Sequence, residues 1–426
     1  MNPLILIREM ARKAGKPVEE VGRVEKDYAI TRLASSNREK LILFELEGSE
    51  FTGYTNLVTT RNDIYAMFNA STDLEVYDRI IKALENPATL DTVEFDEHFE
   101  KRDYTLDSLP FVKYYKDDGS RYLTSSIYTI CFEKICNASY HRTMYKSPVE
   151  APIRVVPRHL HFLMKKYHDR GLDAPVALVL GADPYFELAA AMTPPLGVFE
   201  ASVAAAMSGY NKVVKTPLYK IPVPANASVI VEGVLTRELA DEGPFTDILM
   251  HLDGKRPQPV FKPSGFYVNK HQTPLFHAVV PGLWEHQFLM GFPREPLIFQ
   301  EVRKVAPGVV KVRLTEGGSG WLHVAISLKQ SSPGEAKLAG LAAITAHPSV
   351  KHVFVVDEDI DVDNPLEIEW ALATRLKGSE DIIILKDIRG STLEPRSKDG
   401  IGDKVIFLAV KPFNEPWDKY RRVVIE

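Results

Sequence analysis

Glu242-Gly243-Pro244-Phe245-Thr246-Asp247 is separated by six residues from the strand-like run VIVEGVL before it and sets two carboxylates around a Gly-Pro turn. Gly-Pro predicts a tight turn, so both acids leave a strand end into the same small space. Carboxyl groups in unequal surroundings can divide roles, one staying ionised while the other is poised as an acid. A charged surface turn has the same composition, and the turn alone leaves both readings open. A second cluster is Asn137-Ala138-Ser139-Tyr140-His141-Arg142, again after a β-like run. The planar fork of Arg142 is a natural receptor for a carboxylate, and equally a partner in a structural ion pair. Pro157-Arg158-His159-Leu160 puts a histidine at a helix start, where it can cap, pack or bind a metal. Gly181-Ala182-Asp183-Pro184, with Met192 and Glu200 downstream, fits a strand-end loop that brings backbone close to a ligand, or an ordinary turn.

These residues need a scaffold, and the composition bounds it. At 426 residues the chain suits two or three domains. With 45% apolar and 26% charged residues, neither disorder nor a fibrous repeat is expected. No run approaches the roughly 18 to 20 apolar residues needed to cross a bilayer, and the N-terminus lacks the features of a signal peptide. A net charge of −5 offers no basic surface for nucleic acid. The expectation is a cytoplasmic enzyme without membrane or nucleic-acid partners. Two cysteines exclude a disulfide scaffold or a cysteine-built zinc site, and Cys131 and Cys136 read as buried thiols.

Periodicity predicts helices over Pro3 to Lys13, Asn62 to Phe68 and Leu74 to Leu84, with a strand over KLILFELE. This alternation suggests an α/β layer over residues 1–105. From about 106 to 295, short β-like runs broken by Pro and Gly read as a barrel or heavily wound sheet, interrupted by helices over Pro157 to Arg170 and Val198 to Met207. Residues 296–426 return to α/β alternation. The aspartates at 357, 359 and 361 are no EF-hand, which would need Gly and Glu where Val362 and Ile368 stand. Asp363 or Asn364 serves instead as the N-cap before Pro365. Gly317-Gly318-Ser319-Gly320 lacks the Lys and Ser/Thr of a P-loop and reads as a hairpin turn.

The order and spacing of these weak signals carry more than any one of them. NASYHR (137–142), PRHL (157–160), PVALVLGADP (175–184), EASVAAAMSG (200–209), VEGVL with DEGPFTD (231–247), VPGLWEH (280–286), VDEDIDVDNPLEIEWALATR (356–375) and RSKDGIGDK (396–404) together resemble the UbiD family of prenylated-FMN-dependent decarboxylases. The resemblance spans most of the chain, and the E-G-P-F-x-[DE] turn combined with D-x-D-I-D and W-A-x-x-T-R is its most specific part.

The resemblance implies an α/β (α+β) fold: an N-terminal α/β domain, a central split β-barrel that binds the flavin, and a C-terminal α/β domain. It implies a catalytic trio of Arg142, Glu242 and Asp247. Arg142 would hold the substrate carboxylate and Glu242, and Asp247 would give the proton. Many relatives carry Glu at the last place, so Asp247 reaches about one methylene less. Asn137, His159 and Glu200 match the ligands of a divalent metal, Mn²⁺ or Mg²⁺, that ties down the flavin phosphate. Ser139, Tyr140, His141, Arg142, Arg158, Met192 and Lys398 match cofactor contacts, with K⁺ near Met192 and Glu200. Implied partners are a small carboxylic acid, a flavin prenyltransferase that supplies the cofactor, and further copies of the chain.

The implied reaction is non-oxidative decarboxylation of an α,β-unsaturated or aromatic acid. Length, a short C-terminus and only five glutamines favour the archaeal branch that converts trans-anhydromevalonate 5-phosphate to isopentenyl phosphate in isoprenoid biosynthesis by a modified mevalonate pathway. His141, Lys146 and His286 are positional candidates for a substrate phosphate. A hydroxybenzoate decarboxylase and a non-catalytic flavin-binding protein are the competing readings.

Overall fold

The computed structural model describes residues 2–423. The chain forms two compact units, one ending at Leu289 and the other beginning at Met290.

The first unit opens with helix Pro3–Ala14, whose N-cap Asn2 accepts a hydrogen bond from the Leu4 amide at 2.9 Å. The other predicted early elements are present as Leu41–Leu46, Arg61–Phe68 and Asp73–Glu85. A four-stranded sheet runs in the order Val18–Val24, Leu41–Leu46, Thr52–Thr55, Leu275–His277. Its last strand comes from far along the chain and pairs in parallel with Thr52–Thr55.

The larger sheet of this unit has seven strands and is antiparallel throughout. Its order is Ala151–Pro152, Arg256–Asn269, Val229–Glu242, Ala174–Leu180, Ile127–Phe132, Ile135–Tyr140, with Phe99–Arg102 also paired to Arg256–Asn269. Among the described residues no pairing closes this path into a ring. Val229–Glu242 and Arg256–Asn269 each run for 14 residues, well beyond the apolar stretches, and register shifts after Glu232 and Leu235 bend the pair. Those bulges carry Glu242 to the sheet's end.

Helices His159–His168, Pro184–Ala191 and Glu200–Ser208 pack against the Ile135–Tyr140 strand. The middle one was not expected from periodicity. It forms because Asp183 accepts from the Tyr185 and Phe186 amides at 3.0 and 3.1 Å and Pro184 fills the first helical position. Gly-Ala-Asp-Pro is thus a helix cap.

Cys131 and Cys136 correct the reading of two buried thiols: they are joined in a disulfide, and both are partly exposed. They face one another across the hairpin of Ile127–Phe132 and Ile135–Tyr140. The pairing follows from register, since Glu133 and Lys134 make a two-residue turn that puts positions five apart directly opposite.

The second unit holds a five-stranded sheet in the order Val309–Leu314, His323–Leu328, His352–Asp357, Ile401–Ala409, Ile382–Arg389. Asn364 caps helix Pro365–Arg375. The aspartates of the D-x-D-I-D motif are spent on internal pairs: Arg375 reaches Asp357 at 2.8 Å and Asp359 at 2.6 Å, and Lys311 lies 3.5 Å from Asp361. The four residues from Gly317 lie in the connection between two antiparallel strands, part of it a 3-10 turn.

Candidate active site

Strand alternation sorts the Asn137–Arg142 cluster. Asn137, Ser139 and His141 share one face and are linked in a row, while Tyr140 points the other way. Glu200, first residue of its helix and buried, accepts from the Asn137 side-chain amide at 2.6 Å and the Ala138 amide at 2.7 Å. Burial pushes its carboxyl up to about 8, against the pull of those donors. His141 Nδ1 lies 2.8 Å from the Arg154 carbonyl, which only accepts, so the imidazole proton sits on Nδ1. Burial lowers His141 to about 4, so its Nε2 is an acceptor and takes the hydroxyl proton of Ser139, 2.9 Å away. The same hydroxyl lies 3.0 Å from the Asn137 carbonyl oxygen and donates there as well, so one proton serves two acceptors.

A carboxamide oxygen with a lone pair to spare beside a buried carboxylate fits a cation in chemical type. His159 begins its helix, half-buried and held neutral by burial and the adjacent Arg158, but no hydrogen bond or ion pair joins it to Asn137 or Glu200. Among the described residues no three His, Cys, Asp or Glu side chains converge as a metal-binding group. Met192 follows the last residue of helix Pro184–Ala191 and is buried, whereas Lys398 is exposed within the second unit.

Arg142 and Glu242, a hundred residues apart, meet in a two-pronged pair with Nε–Oε1 at 2.8 Å and Nη2–Oε2 at 2.9 Å. Glu242 is fully buried. The same Nη2 donates to Asp253 at 2.8 Å, and the Phe245 ring lies under the guanidinium, 4.4 Å from its centroid. Asp247 ends the turn, 5% exposed, its Oδ1 accepting from the Leu249 and His251 amides at 2.8 and 3.1 Å. Burial raises its carboxyl above the usual range, those two donors pull it back, and the Asp253 charge adds to the rise. No hydrogen bond joins Asp247 to Arg142 or Glu242.

The turn between the two acids is held from outside. The Gly243–Pro244 peptide is cis, and Gly243 has φ +98°, a conformation that favours glycine. Asp118 Oδ1 accepts from the Thr246 amide at 2.8 Å and its hydroxyl at 3.0 Å, while Oδ2 accepts from the Tyr115 amide at 3.0 Å. The Gly119 amide donates to the Pro244 carbonyl at 2.6 Å. A side chain at Gly119 would sit 2.5 Å from the Gly243 oxygen. Sequence reasoning gave Asp118 and Gly119 no part in the site. It missed Asp118, Asp253 and Phe245, of which only Phe245 carried a signal, inside the E-G-P-F turn.

A second buried network lies behind Tyr140. His277 Nδ1 is 2.7 Å from Glu187 and Nε2 is 3.0 Å from Glu285, with the Tyr54 ring stacked on it at 4.3 Å. Tyr54 donates to Glu187 at 3.1 Å, and Glu285 accepts from the Asn56 and Val58 amides. Burial alone would strip the His277 proton, but the carboxylates of Glu285 and Glu187 outweigh it and raise the group to about 10. The network ties the first sheet's loop to the helix that packs on Asn137's strand.

A seven-stranded antiparallel sheet with an Arg–Glu pair and a buried acid at its end defines a class, and sequence comparison agrees. Residues 88–284 match the 3-octaprenyl-4-hydroxybenzoate carboxy-lyase Rift-related domain and residues 287–409 match the C-terminal domain of the same enzyme. The chain belongs to the UbiD family. It is 38% identical over 394 residues to an anhydromevalonate phosphate decarboxylase of Aeropyrum pernix, covering 92% of this chain and 90% of that one. It is 36% identical to the protein of that name from Methanothermobacter thermautotrophicus, covering 93% of each. Among solved structures it resembles HmfF of Pelotomaculum thermopropionicum, a UbiD-class enzyme in complex with FMN, at 31% identity and TM-score 0.92 over 98% of this chain and 97% of that one. An evolved dimeric form of HmfF with prFMN gives 28% identity and TM-score 0.89, over 100% of this chain and 97% of that one.

Proposed function

We propose that this protein is a prenylated-FMN-dependent decarboxylase that converts trans-anhydromevalonate 5-phosphate to isopentenyl phosphate and CO2. The observation that carries the reading is the Arg142–Glu242 pair set at a strand end, one short turn from the buried carboxyl of Asp247. The names of the archaeal relatives support the substrate.

Arg142 takes the substrate carboxylate on the face of its fork that Glu242 and Asp253 leave open, and those two acids keep it from turning. The bond from carbon to carboxylate breaks with its electron pair left on carbon, and CO2 departs. Bound prenylated FMN supplies the sink for that electron pair. Asp247, whose carboxyl burial raises above its ordinary value, gives its proton to the same carbon and is reprotonated from water. Asn137 and Glu200, with His159, would hold the Mn²⁺ or Mg²⁺ that serves the flavin phosphate. Ser139, His141 and Arg158 would line the cofactor, with Tyr140 turned to the opposite face of its strand, and K⁺ would bind by Met192 and Glu200. A flavin prenyltransferase supplies the cofactor, and the chain works as a homo-oligomer, with functional parts at 1–105, 106–295 and 296–426. Among the described residues no helix is long and apolar enough to cross a membrane, and we place the enzyme in the cytoplasm.

The test is CO2 release by protein co-expressed with a flavin prenyltransferase, its flavin identified by mass spectrometry. The phosphorylated acid is expected to turn over and Glu242→Gln to lose at least about a hundredfold in kcat. Turnover of a hydroxybenzoate alone would move the substrate to the aromatic acids. Equal rates for Glu242→Gln and the parent would remove Glu242 from the mechanism.

A further inference from the structure

We propose that Arg154 and Arg256, beside Arg142, form a subsite for the phosphate monoester of the substrate; the identity of that substrate rests on the decarboxylase reading above.

Both arginines are fixed to the trio by backbone pairing. The Arg154 amide donates to the Arg142 carbonyl at 3.0 Å, and its own carbonyl takes the His141 Nδ1 proton at 2.8 Å. Arg256 is the cross-strand partner of Glu242. All three guanidiniums converge on Asp253. Its Oδ2 lies 2.8 Å from Arg142 Nη2 and 3.8 Å from Arg154 Nε, and its Oδ1 is bonded by Arg256. Glu242 is already committed to both prongs of Arg142.

Three cations therefore share two carboxylates, and the shortfall lands on Arg154. Its nearest carboxylate oxygen is beyond hydrogen-bond reach, and its guanidinium donates only to the Val155 carbonyl at 3.4 Å among the described residues. The side chains of Arg142 and Arg154 are 13% and 17% exposed and that of Arg256 34%, so the cluster is sheltered yet open at one edge. Burial first, then repulsion from Arg256, depresses the Arg154 pKa. An anion there relieves the repulsion and fills the open donors. Phosphate suits the place better than a second carboxylate, because its oxygens accept from two forks together and its charge more than meets the one positive charge left over on Arg154. A substrate carrying a carboxylate at Arg142 and a phosphate at Arg154 and Arg256 would be held at both ends.

The flavin's own phosphate has the same chemistry, so the experiment separates the two sources. Holoenzyme is titrated calorimetrically with isopentenyl phosphate and with isopentenol, which need no turnover, and bound flavin is measured by absorbance. The parent is expected to prefer the phosphate compound by roughly tenfold or more. Arg154→Gln and Arg256→Gln each lose most of that preference with flavin content unchanged, and Arg154→Lys falls between. Should a Gln variant fail to fold, Arg154→Lys and Arg256→Lys are measured in its place, each expected to lose part of the preference because it keeps the charge and loses the fork. A parent that does not distinguish phosphate from alcohol overturns the subsite. So do variants that shed flavin while keeping the preference, which would assign the arginines to the cofactor. Phosphate preference without any CO2 release from the phosphorylated acid leaves the subsite standing and removes the decarboxylase reading instead.

Discussion

Asp118→Asn tests whether the turn carrying Asp247 must be held from outside to work. The Asp118 carboxylate is buried and accepts from three donors, the Thr246 amide and hydroxyl and the Tyr115 amide, at 2.8, 3.0 and 3.0 Å. Asn keeps the shape but has one acceptor oxygen, so its amide group must face an N–H or O–H whichever way it turns. A buried donor left unmet costs about 1–3 kcal/mol, and weakening the remaining bonds from charged to neutral costs about 1 kcal/mol more. Burial raises the Asp118 pKa, so a neutral amide recovers part of this, and the net is about 2 kcal/mol. The loss falls on Thr246, the residue before Asp247. If half of it appears as misplacement of the proton donor, kcat drops about fivefold. The assay is decarboxylation at saturating acid, with flavin content as control and a melting curve alongside. A fall in kcat with KM and flavin content nearly unchanged is expected, together with a Tm lower by about a few degrees. Parent kcat in a variant whose Tm has fallen would refute the reasoning, because the clamp would then stabilise the fold without positioning the acid.

Two further predictions follow from the titrations. Asp247 must be protonated to donate, and its folded pKa lies above the ordinary carboxyl value, so kcat is expected to hold at low pH and fall as pH rises through that raised pKa. Asp247→Asn should abolish that limb along with most of the activity, and a limb that survives unchanged would assign it to another group. His277 is protonated between Glu187 and Glu285, with its pKa raised from 6.5 to about 10. A raised pKa stabilises the fold fully below about pH 6.5, and that contribution is lost as pH rises toward about 10. His277→Gln leaves two buried carboxylates uncompensated at a cost of about 3–5 kcal/mol. Melting curves should show the variant far less stable than the parent at pH 6 and the gap closing by pH 10, and a gap independent of pH would contradict a charged His277.

Which parts of the fold and site are legible in sequence depends on which contacts are local. Asn364 before Pro365, helix Asp73–Glu85 and strand Leu41–Leu46 are written in short windows of capping and periodicity, and a chain with those windows forms those elements. The E-G-P-F-T-D turn is local too, which is why both its acids could be named from spacing. Helix Pro184–Ala191 was legible in principle from Asp183 and Pro184, but its apolar run shows no periodicity because it is buried almost all round.

Bringing Arg142 to Glu242 needs the seven-stranded order, with Ala174–Leu180 and Ile127–Phe132 between their strands, and no window of sequence contains that order. Asp118, Asp253 and Arg154 gain their roles only there, because a lone Asp or Arg in sequence carries no sign of its partner. The disulfide was missed for the same reason on a smaller scale: two cysteines five apart are neighbours only once the hairpin register is set. The sequence by itself determined the residue types and the turns that can do acid–base and carboxylate chemistry. Tertiary structure decided which of those groups share a dry, low-dielectric space, and that sharing sets whether Arg142 is paired, whether Asp247 keeps its proton, and whether Arg154 has an anion to find.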